Sequence, residues 1–103
     1  MIKVIVVDDE RFVRMGIVGE TDWASLGCEV VGEAENGLDA LELVQKKNPD
    51  LMICDIRMPK MNGLEMLKKL REEKNPVQVI FLTAYSEFSY AREALKLYAF
   101  DYL

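Results

Sequence analysis

Residues 51–59 have the sequence Leu-Met-Ile-Cys-Asp-Ile-Arg-Met-Pro. Four apolar residues in succession, without polar alternation, are typical of a parallel-sheet strand that is covered on both faces. The apolar run ends at Asp55, and Pro59, which lacks an amide hydrogen, disfavours further strand pairing. Asp55 is therefore predicted at the carboxyl end of this strand, where open α/β sheets bind ligands. A turn or a helix cap is the alternative role for an isolated aspartate at that point.

Strand and helix patterns alternate on both sides of this segment. Four further segments have the apolar character of strands: Ile2–Val7, Cys28–Ala34, residues 77–82 and residues 100–103. Helical spacing of apolar residues predicts four helices: Arg11–Glu20, a helix capped by Asn36, a helix capped by Asn62 and residues 86–98. The alternation predicts a doubly wound α/β domain with parallel strands and right-handed crossovers. In the first crossover, the residues expected to pack on the core are Phe12, Val13, Gly16, Ile17, Trp23 and Leu26.

Composition limits the classes of protein that fit. The 103 residues allow one small domain, and the formal net charge of −5 argues against a nucleic-acid-binding surface. No apolar run approaches the ~20 residues that a bilayer-spanning helix needs. Cys28 and Cys54 fall in different strands without metal-type spacing, which favours reduced core cysteines in a cytoplasmic protein.

Acidic residues follow two of the predicted strands. Asp8, Asp9 and Glu10 follow the first strand, Asp55 ends the third, and Thr83 ends the fourth. If these strands are neighbours, about 4.8 Å apart, the side chains converge at one sheet edge. Like charges ~4 Å apart repel by roughly 4 kcal/mol at an effective dielectric constant of 20, so a divalent cation such as Mg²⁺ is expected between them. The alternative for the first acids is a helix N-terminus, whose dipole favours negative charge.

Four segments resemble the receiver domain of bacterial two-component response regulators. They are Val-Val-Asp-Asp-Glu at 6–10, Asp-Ile-Arg-Met-Pro at 55–59 with Asn62-Gly63, Phe-Leu-Thr-Ala at 81–84 and Ala-Phe-Asp-Tyr-Leu at 99–103. The resemblance covers the whole chain and implies one receiver domain over residues 1–103. It also implies a flavodoxin-like five-stranded parallel sheet with strand order 2-1-3-4-5.

The resemblance implies a role for each site residue. Asp55 is then the phosphoacceptor, which takes a phosphoryl group from a histidine kinase. Asp9, Asp55 and the backbone carbonyl of Arg57 coordinate Mg²⁺ directly, and Asp8 acts through a water molecule.

The remaining roles that the resemblance implies concern the end of the chain. The Thr83 hydroxyl and the Ala84 amide hold phosphoryl oxygens, and Tyr102 is the switch aromatic that turns inward when Thr83 moves. Receivers carry a lysine shortly after the aromatic position, and the sequence ends at Leu103, before it. We therefore expect a receiver truncated in strand 5, with helix 5 and the output domain missing, and a tendency of the uncovered sheet face to cause instability or association.

The implied function is a phosphorylation-dependent signalling switch rather than an enzyme. Its expected partners are a sensor histidine kinase and its own output domain. Similarity around residues 21–23, 32–37 and 84–91 suggests an output domain of the AraC helix-turn-helix type that controls transcription. The domain itself is expected to contact neither nucleic acid nor membrane. The sequence leaves open whether it forms a homodimer.

Three other classes of protein are alternatives to a receiver, and they differ in what they require of Asp8, Asp9 and Glu10. A haloacid-dehalogenase-type phosphatase also uses an Asp nucleophile with Mg²⁺ but needs two acids spaced i, i+2, whereas Asp8 and Asp9 are adjacent. A nucleotide or flavin binder needs a glycine- or hydroxyl-rich loop after strand 1, where this chain has Glu-Arg-Phe. A pseudo-receiver, which binds proteins without phosphate, has no evident need for the intact acids.

Overall fold

The computed structural model describes residues 1–82 and the backbone of a short strand at Asp101–Tyr102. The strands are β1 Ile2–Val7, β2 Cys28–Ala34, β3 Leu51–Asp55, β4 Gln78–Leu82 and β5 Asp101–Tyr102. The helices are α1 Arg11–Glu20, α2 Gly37–Lys47 and α3 Gly63–Glu72, with a 3-10 turn at Ala24–Leu26. The helix predicted over residues 86–98 lies outside the described residues. β4 starts one residue later than predicted because the Val77 amide donates to the Asn75 side chain (2.9 Å) instead of to a strand.

The five strands among the described residues are parallel and lie in the order β2-β1-β3-β4-β5. The predicted flavodoxin-like α/β fold and its strand order are therefore confirmed. The chain moves one way across the sheet from β1 to β2 and the other way from β2 through β3 to β4. With right-handed crossovers, α1 lies on one face of the sheet, and α2 and α3 lie on the other.

The hydrophobic core lies between the sheet and α2 and α3. Its largest fully buried side chains on this face include Ile5, Met52, Met66, Leu67 and Phe81. The prediction that β3 is covered on both faces is right for one face only, because Leu51 and Ile53 are partly exposed. Since β1 is buried from Val4 to Val7, this strand, and not β3, has the continuous burial that its apolar run predicts.

The expected packing of the first crossover is wrong in part. No residue of α1 is buried, and Phe12 and Val13 are 86% and 43% exposed. Leu26 is also 62% exposed, whereas Ile17 and Trp23 are partly buried. Polar contacts are also present here, because the Trp23 indole N–H donates to the Val18 carbonyl at 3.2 Å and the Arg14 guanidinium donates to the Asp8 carbonyl at 2.7 Å.

The C-terminus of α3 offers a stability test that is independent of function. The amide of Lys74 donates to the Arg71 carbonyl and that of Asn75 to the Leu70 carbonyl, which is a Schellman motif. Lys74 has φ of 60°, in the left-handed region that favours glycine. We expect Lys74→Gly to raise the free energy of unfolding by about 0.5–1 kcal/mol in urea titrations. Lys74→Ala removes the same charge but keeps Cβ, so an equal gain in that control would contradict the backbone explanation.

Candidate functional site

The strand register brings three aspartates together at the carboxyl edge of the sheet. Val7 pairs with Cys54, so the next residues, Asp8 and Asp55, lie side by side. Carboxylate oxygens of Asp8, Asp9 and Asp55 lie within 4.8 Å of one another. We call these three residues the acid cluster. Asp8 is buried, at 6% exposed, whereas Asp55 is partly exposed and Asp9 is exposed. The acid cluster is thus anchored in the domain on one side and open to solvent on the other.

Asp8 is fixed by hydrogen bonds at its backbone and its side chain. Its amide donates to the Ala34 carbonyl at 3.1 Å, which extends the β1–β2 pairing by one residue. Its Oδ1 accepts from the Glu10 amide at 2.8 Å, and its carbonyl accepts from the Arg14 guanidinium at 2.7 Å. Burial raises the pKa of Asp8, the Glu10 amide opposes that rise, and the charges of Asp9 and Glu10 add to it. The ionised cluster is therefore rigid but electrostatically unfavourable on its own.

Asp55 ends β3 with its carboxyl group held against the following backbone. Its Oδ1 accepts from the Ile56 amide at 2.8 Å, and its carbonyl lies 3.0 Å from the Cys54 sulfur. Burial, followed by the charges of Asp55 and Asp8, raises the pKa of the Cys54 thiol well above its usual value. Cys54 is therefore a neutral hydrogen-bond donor to Asp55. Both cysteines are free and buried, as the sequence predicts.

At the end of the loop from β3 to α3, Gly63 packs closely against the backbone of Asp55 and Ile56. The Gly63 amide donates to the Ile56 carbonyl at 2.7 Å. A Cβ at this position would lie 2.6 Å from the Asp55 carbonyl oxygen and 2.7 Å from a ring carbon of Phe81. The capping box that the sequence predicts between Asn62 and Glu65 is present. Gly63 thus allows the N-terminus of α3 to close against the end of β3, a packing requirement that the sequence motif did not explain.

The other predicted site residues have different positions. Arg57 is exposed in the loop after β3. Leu82 pairs with Asp55, and Thr83 and Ala84, which follow it, lie outside the described residues. Only the backbone of Tyr102 is described, paired with Phe81. The phosphoryl-binding and switch roles of these residues stay predictions.

The donor set of the acid cluster fits a hard divalent cation. Three carboxylates offer oxygen ligands, and Mg²⁺ binds carboxylate oxygens at about 2.0–2.1 Å while keeping several waters. Two oxygens on one Mg²⁺ are then at most ~4.2 Å apart, so a spread of up to 4.8 Å is compatible with two direct acids and a third acting through water. Burial, and then the charges of Asp9 and Glu10, raise the pKa of Asp8, and a bound cation would offset these costs of its ionised form.

Comparison with known proteins shows the family to which the chain belongs. The family described as the response regulator receiver domain matches residues 4–103. The chain is 42% identical over 103 residues to the transcriptional regulatory protein YesN of Bacillus subtilis. It is 35% identical over the same length to the transcriptional regulatory protein HptR of Staphylococcus aureus. The chain belongs to the response regulator receiver domain family.

Solved receiver structures have the same fold. The receiver domain of AraT, a response regulator from Geobacillus stearothermophilus, is 44% identical with a TM-score of 0.89, over 98% of this chain and 78% of that one. A two-component transcriptional regulator AraC from Clostridium phytofermentans is 29% identical with a TM-score of 0.88, over 100% and 80% of the two chains. The resemblance to receivers is thus confirmed, and relatives of the AraC type are among the similar proteins.

The chain spans only part of its curated relatives. It covers 28% of YesN and 40% of HptR, and all of its own 103 residues are aligned in both cases. Among the described residues, no helix has the length and apolar character that crossing a membrane would require.

Proposed function

We propose that the chain is a phosphorylation-dependent signalling switch that accepts a phosphoryl group on Asp55. The observation that carries the proposal is the convergence of Asp8, Asp9 and Asp55 at the carboxyl edge of a receiver-type sheet. In this proposal, Asp9, Asp55 and the Arg57 carbonyl bind Mg²⁺ directly and Asp8 binds it through water.

The residues contribute positioning rather than strong nucleophilicity. A carboxylate oxygen of Asp55 forms a bond to phosphorus while the donor's P–N bond breaks, and the electron pair leaves with the imidazole of the kinase phosphohistidine. When bound, Mg²⁺ would neutralise negative charge on the carboxylates and the phosphoryl oxygens. The Ile56 amide holds Asp55 at 2.8 Å, and the fixed Asp8 keeps the cluster preorganised. Thr83 and Ala84 are proposed to hold the remaining phosphoryl oxygens.

The proposed partners follow from the family and from the names of relatives. A sensor histidine kinase in the cytoplasm supplies the phosphoryl group, and an output domain outside these 103 residues receives the signal. YesN and HptR are described as transcriptional regulatory proteins, which supports control of transcription as the output. Tyr102 is proposed to pass the change at Thr83 to that output surface.

Incubation with acetyl phosphate tests this function against its alternatives. The chain used is extended through the lysine and fifth helix that receivers carry after the aromatic position, and it is the parent in every labelling experiment below. With Mg²⁺, we expect intact-mass spectrometry to show one added phosphoryl group per chain, and with EDTA none. Rapid, continuing release of phosphate, many equivalents per chain, would indicate a phosphatase instead. A folded chain that stays unlabelled with Mg²⁺ present would indicate a pseudo-receiver.

A further inference from the structure

Arg14 joins the ends of two strands beside the acid cluster. From the second turn of α1, its Nη1 donates to the Asp8 carbonyl at 2.7 Å, and its Nε donates to Glu33 Oε1 at 3.1 Å. The Arg14 side chain is 16% exposed and that of Glu33 is 42% exposed. The planar guanidinium can hold two acceptors in fixed directions, which an ammonium group cannot do. Arg14 thereby links the end of β1 to the end of β2.

The peptide group that Arg14 holds is the one between Asp8 and Asp9. The other hydrogen bonds of Asp8 act on its amide and its carboxylate, through Ala34 and Glu10. The Arg14 contact is the described hydrogen bond that fixes the plane of the following peptide, and so the direction in which Asp9 leaves the strand. The apolar side chains at the start of α1, Phe12 and Val13, are exposed, so packing there contributes little to fixing this peptide.

We propose that Arg14 is a positioning residue for the Mg²⁺ site. By donating to both the Asp8 carbonyl and the Glu33 carboxylate, its guanidinium keeps Asp8 and Asp9 directed towards Asp55. The proposal rests on the proposed function, because it concerns the Mg²⁺ site assigned there. Arg14 touches neither substrate nor metal in this arrangement, and it acts through the backbone of Asp8.

The charge of Arg14 and its proposed positioning role predict opposite effects on Mg²⁺ affinity when Arg14 is replaced. A cation beside three carboxylates competes electrostatically with Mg²⁺, so removal of its charge alone should tighten Mg²⁺ binding. Loss of an outer-shell partner that orients ligands typically weakens metal binding by about 10–100-fold. The sign of the change in affinity therefore separates the two roles.

The test compares Mg²⁺ affinities of the parent chain, Arg14→Gln and Arg11→Gln by calorimetry at fixed ionic strength. Arg11 is an exposed residue of the same helix, so its variant removes the same charge without the bridge. We expect Arg14→Gln to bind Mg²⁺ about tenfold more weakly than the parent. We expect Arg11→Gln to bind as tightly as the parent or slightly more tightly. Circular dichroism at the titration temperature verifies that each variant is folded.

Arg14→Lys keeps the charge and serves as the second variant. A single ammonium group can reach the Asp8 carbonyl but cannot hold both acceptors as the fork does, so we expect affinity between those of the parent and Arg14→Gln. Parent-like or tighter Mg²⁺ binding by folded Arg14→Gln would overturn the proposal, as would parent-like binding by Arg14→Lys if Arg14→Gln does not fold. If the parent itself binds no Mg²⁺, the proposed function fails first, and the two failures are thereby distinguished.

Discussion

Replacement of Asp55 by asparagine is expected to abolish phosphorylation by acetyl phosphate. The asparagine side chain would keep the size of the aspartate and an oxygen that accepts from the Ile56 amide, a contact of 2.8 Å in the parent. The side-chain amide is not a competent nucleophile towards phosphorus, and one negative ligand for Mg²⁺ is lost. Intact-mass spectrometry of chains treated with acetyl phosphate and Mg²⁺ should show full labelling of the parent and none of Asp55→Asn.

Asp50→Asn is the matched control for this experiment. Asp50 directly precedes β3, at the opposite edge of the sheet, where its side chain accepts from the Lys3 amide at 2.9 Å. It carries the same charge near the same strand but lies far from the acid cluster. Asp50→Asn should be labelled like the parent. Equal labelling of Asp55→Asn and the parent would remove Asp55 as the phosphoacceptor.

Replacement of Asp9 by asparagine is expected to separate metal binding from stability. Because Asp9 is proposed to bind Mg²⁺ directly, its loss should weaken Mg²⁺ binding by more than the roughly tenfold expected for Arg14→Gln, whose role is to orient ligands. Without divalent ions, the same variant should be more stable by about 0.5–1 kcal/mol, because the charge of Asp9 opposes ionisation of the buried Asp8. Thermal melts in EDTA and in millimolar Mg²⁺ measure both effects, since a ligand that binds only the folded state raises stability.

Acidic pH should reduce the stability that Asp9→Asn gains in the absence of divalent ions. The pKa of Asp8 is raised in the folded chain, so Asp8 takes up its proton at a higher pH than an ordinary aspartate and then no longer repels Asp9. Glu10→Gln is the matched control, because the charge of Glu10, like that of Asp9, adds to the rise that burial causes in the pKa of Asp8, but Glu10 lies outside the acid cluster. Glu10→Gln should be more stable than the parent in EDTA, as Asp9→Asn is, and Mg²⁺ should still stabilise it. Loss of Mg²⁺ stabilisation in both variants to the same extent would point to bulk charge rather than a defined site.

The sequence predicted the parts of the fold that depend on local pattern. The apolar runs located the strands to within one residue, and the Asn36 and Asn62 caps located the starts of α2 and α3, because these signals act within a few residues. The end of α3 gave no such signal, since Lys74 occupies a left-handed position that glycine usually fills.

Burial was less predictable because it depends on which elements meet. Helical spacing alone placed Phe12 and Val13 on the core, but both side chains are exposed, whereas Ile17 one turn further on is partly buried. Likewise, the apolar run of β3 could not show that its two faces are covered unequally.

The acid cluster was predictable because it follows from topology. Parallel strands place their carboxyl ends together, so Asp8 and Asp55 had to meet once β1 and β3 were neighbours. The bridge made by Arg14 was missed, since it depends on the direction of one side chain between two strands. The available signal was a basic residue between apolar positions of α1, which is common on exposed helices. Thr83, Ala84 and the Tyr102 side chain lie outside the described residues, so their roles rest on the family resemblance.

The central claim is that Asp55 receives the phosphoryl group with the help of Mg²⁺. Borohydride reduction converts a phosphorylated aspartate to homoserine, and tandem mass spectrometry then identifies the position. For the chain labelled with acetyl phosphate, we predict conversion at Asp55 alone, in the presence of Mg²⁺ and not in EDTA. Conversion at Asp8 or Asp9 with Asp55 intact, or a folded chain with no conversion in Mg²⁺, would contradict the account.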